Sequence, residues 1–163
     1  MSDMTPEPVD PLNAALYEFS ECIGSALEDI CSYGVTIGER YVPFDPDDED
    51  DEDCDVRCSQ AWVRVTDVQT SSESSWSGDC ATTLRIGLEV GVTRCVKVED
   101  RGEAPTASAV REASVQAMDD MRASHCAAMS CGVWDSIEAH EWSPEGPSGG
   151  QYGGQWTFTV EVG

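Results

Sequence analysis

Positive charge is scarce in this chain. Its 163 residues hold nine lysines and arginines against 32 aspartates and glutamates, a formal net charge of -23. A surface this negative repels nucleic-acid backbones and anionic membranes, so polyanion binding is the wrong default function. Lys97 is the single lysine; such arginine bias reflects a GC-rich coding genome and says nothing of activity. Histidine is nearly as rare, with His125 and His140 alone. No apolar run approaches membrane-spanning length. The opening MSDMTPEPVDP has neither a basic n-region nor an apolar h-region, so the expectation is a soluble chain without a secretory signal, made in a cytosol.

Cysteine, in contrast, is plentiful: Cys22, Cys31, Cys54, Cys58, Cys80, Cys95, Cys126 and Cys131. In a small secreted domain eight cysteines imply a disulfide framework, a reading that weakens without a signal peptide. Zinc sites usually pair two C-x₂₋₄-C halves. Cys54 and Cys58 make one such half, but Cys126 and Cys131, with four residues between them at the limit of that spacing, make a poor second one. The leading expectation is therefore buried, reduced thiols acting as small apolar residues.

The length and an apolar content of 40% suit one globular domain with a real core. Residues 1–9 are rich in proline and acid, and read as a loose tail before a domain over 10–163. Asp10 and Pro11 read as N-cap and first helical position. Leu12, Ala15, Leu16, Phe19, Cys22, Ile23, Ala26, Leu27 and Ile30 then share one helical face, with Gly34 as the stop. Residues 35–44 read as a strand. The acidic loop 45–55 comes next, and its like charges repel and keep it extended. As a calcium loop it fails, because a frame begun at Asp47 puts Glu52 at the glycine position and Cys58 at the final glutamate position. A solvated loop is the leading reading, with loose divalent-cation binding second.

Gln60 to Val68 alternates as a strand, and Thr83 to Val98 does so most strictly. Leu84, Ile86, Leu88, Val90 and Val92 face one way; Gly87 and Gly91 leave room on the other side for close approach of another chain or element. Thr106 caps a second helix with Val110, Ala113, Ala117, Met118 and Met121 as its apolar stripe and Glu112, Asp119, Asp120 and Arg122 on its solvated side. Residues 133–142 and 156–162 read as strands joined by a long glycine-hinged loop. The resulting fold class is α+β: two layers, a mostly antiparallel sheet with two main helices on one face.

Chemistry is sparse. His125 beside Cys126 is a poor nucleophile–base pair, because helix neighbours point in different directions. His140 in EAHEW lacks the second histidine of a zinc-protease helix. The glycines from Gly146 to Gly154 come without the lysine and the succeeding helix that phosphate loops need. Neither a catalytic set, nor a metal site, nor a cofactor site emerges from these residues.

Several stretches together resemble a known family. The ending, Trp142, Gly146-Pro147-Ser148-Gly149-Gly150 and Gly153-Gly154-Gln155-Trp156-Thr157, is similar to that of tail terminators of long-tailed phages (siphoviruses) of high-GC Gram-positive hosts. So are the opening amphipathic helix, the central strand LRIGLEVGVTRC and the helix led by Pro105-Thr106. The resemblance covers most of residues 10–163; the acidic stretch is not part of the family pattern. It implies a homohexameric ring that caps the tail tube, ends its growth and joins the tail to the head. Its implied partners are other copies of itself, the tail tube protein and a head–tail stopper or connector. DNA would pass through the lumen without specific binding, along acidic walls, with no enzyme activity and no cofactor. The implied place is the virion's tail–head junction, after assembly in the host cytoplasm. The alternatives are a head-side stopper or adaptor of the neck, and a small cysteine-rich or metal-binding module. As interface candidates the sequence offers Trp76, in the polar stretch Thr70 to Asp79, and the acidic Asp47, Asp48, Glu49, Asp50, Asp51, Glu52 and Asp53.

Overall fold

A computed structural model describes residues 10–38, 59–70, 83–96, 104–148 and 151–162. Helix α1 (Pro11–Ala26) starts where the sequence places it. Asp10 Oδ1 accepts a hydrogen bond from Leu12 N at 3.0 Å, and Pro11 opens the first turn. Its end differs from expectation. Leu27 is already extended with ψ 134°, and Asp29 adopts a left-handed φ of 54°. The chain therefore leaves the helix well before Gly34, which lies within β1 (Ser32–Ile37). Ile30 reaches the core from the turn between them.

Four further strands complete the sheet: β2 (Gln60–Thr70), β3 (Leu84–Cys95), β4 (Ser136–Ser148) and β5 (Gln151–Val162). The spatial order is β1-β2-β3-β5-β4. β1 runs parallel to β2, and the other three pairings are antiparallel. Helix α2 (Ala107–Ser130) is capped by Thr106, whose Oγ1 accepts from Ala109 N at 3.1 Å. α1 lies over β1 and β2, α2 over β5 and β4, and the two helices touch. This is the expected two-layer α+β architecture, with a mixed sheet.

The strict alternation of β3 does what it promised. Ile86, Leu88, Val90 and Val92 lie under the helices with Val63, Phe158 and Val160, and meet Leu16, Phe19 and Ile23 from α1. Phe19 also sets its edge against the Trp134 ring, 5.6 Å between centroids. Each such large apolar side chain, fully buried, contributes about 1.5–3 kcal/mol.

The long hairpin loop expected between the last two strands is shorter than its glycines suggested. The β4–β5 ladder continues from Ser136↔Glu161 to Ser148↔Gln151. Gly153 and Gly154 are strand residues, paired with Thr93 and Val92 of β3. Pro144 sits on β4, an outer strand of the described sheet, the kind of strand that tolerates proline.

The thiol expectation is overturned. Cys22 of α1 is disulfide-bonded to Cys131 at the end of α2. Cys31 and Cys95 are disulfide-bonded as well. Among the described cysteines only Cys126 is free, and it is exposed. Helix contact brings Cys22 and Cys131 together from far apart in sequence, which spacing rules cannot foresee.

Candidate functional site

Polar chemistry gathers in three places. The first lies between the layers. Arg94 extends the buried alternation of β3 by one step, and Asp120 lies on the sheet-facing side of α2; they are only 5% and 2% exposed. Arg94 Nε donates to Asp120 Oδ2 at 2.6 Å and Arg94 Nη2 to Asp120 Oδ1 at 2.7 Å. Nη2 also donates to the Glu28 carbonyl in the turn after α1, and Gln116 Nε2 donates to Asp120 Oδ1. Burial alone would lower the Arg94 pKa, but the hydrogen bond and charge of Asp120 outweigh it, and the pKa is raised. The node clamps β3, α2 and the α1 turn. The sequence pattern places Asp120 on the solvated side of α2; the structure corrects this, turning the side chain inward to Arg94. The signal was present, since Ala113, Asp120 and Ala127 recur every two turns on one face.

The second place is the sheet face away from the helices. The Trp62 ring lies over Gly91, so closely that a Cβ there would collide with it. The room left by Gly91 is thus filled from within the same chain, not by another one. Arg64 Nη2 binds Glu89 Oε2 at 2.8 Å, and Nη1 donates to the Gly38 carbonyl, so one guanidinium ties β3 to the end of β1.

The third is a polar cleft of about 240 Å³ at the β4–β5 hairpin, lined by Thr93, Glu145, Gly146, Gln151, Tyr152 and Gly153. Burial raises the Tyr152 pKa; Arg94 pulls it down less strongly, and Asp120 and Glu112 add to the rise. Nearby, Trp142 packs on Trp156 with centroids 5.7 Å apart, and Trp156 Nε1 donates to the Met121 carbonyl. Gly154 leaves the space that the Trp142 ring occupies.

The histidines are apart. His125 tilts against Trp156 at 5.0 Å, and Cys126 beside it in the chain is exposed. His140 Nε2 meets Thr159 Oγ1 at 2.6 Å on the surface. Among the described residues no group of three or more His, Cys, Asp or Glu side chains could hold a metal ion. Trp76 and the acidic residues Asp47, Asp48, Glu49, Asp50, Asp51, Glu52 and Asp53 lie outside the described residues, as does the segment 1–9. Among the described residues no helix is long and apolar enough to cross a membrane. No protein-family model matches the chain, and no curated protein matches it.

Proposed function

We propose that this chain is a structural virion protein: a tail terminator that forms a ring on the tail tube, ends tail growth and joins the tail to the head, with DNA passing through the ring. The observation that carries this reading is the C-terminal hairpin. Its resemblance-bearing residues Trp142, Gly154 and Trp156 interlock between β4 and β5, as a packing motif does. The two-layer architecture supports it too. β1 and β4 are the outer strands of the described sheet, and head-to-tail ring contacts need two such different edges. In this reading the protein is not an enzyme, and its partners are further copies of itself, the tail tube protein and the neck. Its net charge of -23 suits a passage along which DNA slides without sticking.

The test is to mix the purified protein with uncapped tail tubes and image the tube ends. Closed rings on the ends, with tube growth halted, are expected. A chain that stays monomeric under every condition and never occupies a tube end overturns the reading.

A second reading, a disulfide-stabilised cysteine-rich binding module, is favoured by one observation: Cys22, Cys31, Cys95 and Cys131 are all in disulfides. It predicts a monomer whose fold and binding are lost on reduction, with no affinity for tail tubes.

A further inference from the structure

The side of α2 turned away from the sheet has an unusual composition. Val115, Met118 and Met129 are 58%, 48% and 46% exposed. Arg111 and Arg122 are exposed on the same side. At about 100° per residue these five fall in a strip roughly 60° wide, about 27 Å long, directly opposite the buried Ala113, Asp120 and Ala127. A single exposed apolar side chain needs no explanation, but an ordered row of them on a helix does. The two arginines matter as much. Arg64, Arg85 and Arg94 each hold a carboxylate. Arg111 and Arg122 hold none among the described residues, in a chain where acids outnumber bases 32 to 9.

The complementary surface lies beside it. Helix α1 contains no lysine or arginine. It exposes Tyr17, at 65%, together with Glu18 and Glu21. The helices touch, are joined by the Cys22–Cys131 bond and lie side by side on one face of the sheet. A two-fold axis through that surface would lay the α2 strip of each copy on the α1 strip of the other, satisfying both at once.

We propose that the helical layer is the contact surface for a second copy of this chain, in a two-fold, face-to-face dimer. Arg122 of each copy meets Glu18 and Glu21 of the other, beside an apolar strip of Val115, Met118 and Tyr17. Nucleic acid fits this strip poorly. Its centre is apolar, and Glu112 and Asp119 flank it, whereas a phosphate backbone needs a continuous basic surface. The contact does not rest on the ring reading: a ring is head-to-tail, whereas this contact closes at two copies.

Sedimentation velocity of the full chain over a concentration series tests it, with circular dichroism confirming the fold of each variant. The wild type is expected to pass from monomer to dimer. Met118→Asp and Arg122→Glu should each weaken the dimer about tenfold or more, as loss of a central contact does. Arg122→Glu alone and the double variant Glu18→Arg/Glu21→Arg alone should both stay monomeric, while an equimolar mixture of the two dimerises. Should Met118→Asp unfold the protein, the charge-reversal pair carries the test. A wild type that is monomeric at every concentration overturns the proposal. So does any oligomer that these substitutions leave unchanged, or duplex DNA binding that Arg122→Glu abolishes without self-association. A dimer that responds as expected, with no rings on tube ends, would remove the ring reading and leave this contact standing.

Discussion

Arg94 and Asp120 form a two-point ion pair, at 2.6 and 2.7 Å, across the interface between sheet and helix. Both are almost fully buried, so neither can fall back on water. Asp120→Ala leaves a buried guanidinium uncompensated and should cost about 3–5 kcal/mol in urea unfolding. Replacing both together, as Arg94→Met with Asp120→Leu, should recover most of that loss. Equal loss in the single and double variants would mean that shape, and not charge, holds the node.

Gly91→Ala puts a methyl group where the Trp62 ring lies. The strand cannot move, being paired on both sides to β2 and β5. The expected cost is about 1–3 kcal/mol, the usual penalty for overpacking. Adding Trp62→Leu to Gly91→Ala should return part of it in thermal melting, because the smaller side chain can swing away.

Cys22 and Cys131 are separated by 109 positions, and their bond closes a long loop. Replacing both by serine should destabilise the protein by about 4–5 kcal/mol on the loop-entropy estimate. Brief alkylation of the native protein should label Cys126, with Cys22 and Cys131 reacting only after reduction; peptide mass mapping reads this directly.

Tyr152 links stability to alkaline pH. Burial raises its folded pKa above the ordinary tyrosine value of about 10. Between the unfolded and folded values the native state keeps a proton that the unfolded chain has released. Its contribution is therefore complete below about pH 10 and is lost as pH rises through the folded pKa. The urea midpoint should fall over that window, and Tyr152→Phe should show a smaller fall. An identical decline in both proteins would place the alkaline sensitivity elsewhere.

Patterns that repeat over several turns or pleats were legible in the sequence. The β3 alternation, the Asp10–Pro11 and Thr106 helix starts, and the order of elements all depend on neighbours within the same element. The features that stayed hidden depend on distant partners. Gly153 and Gly154 read as loop residues because nothing local reveals that β3 and β4 flank them. Asp120 read as solvated because a carboxylate's burial depends on an arginine in another element. The Cys22–Cys131 pairing was hidden for the same reason. Gly34 marked the end of α1 only by residue type, and the positive φ at Asp29 shows that the chain turned earlier by other means.

The disulfide has a mechanical side. Tension applied at the two ends of the chain can draw out only the residues before Cys22 and those after Cys131. The first 11 of the 16 residues of α1 and the β4–β5 hairpin can therefore yield, while β1, β2, β3 and all of α2 are bypassed by a covalent link that carries the load. A single backbone cut anywhere between those cysteines likewise leaves the two pieces attached.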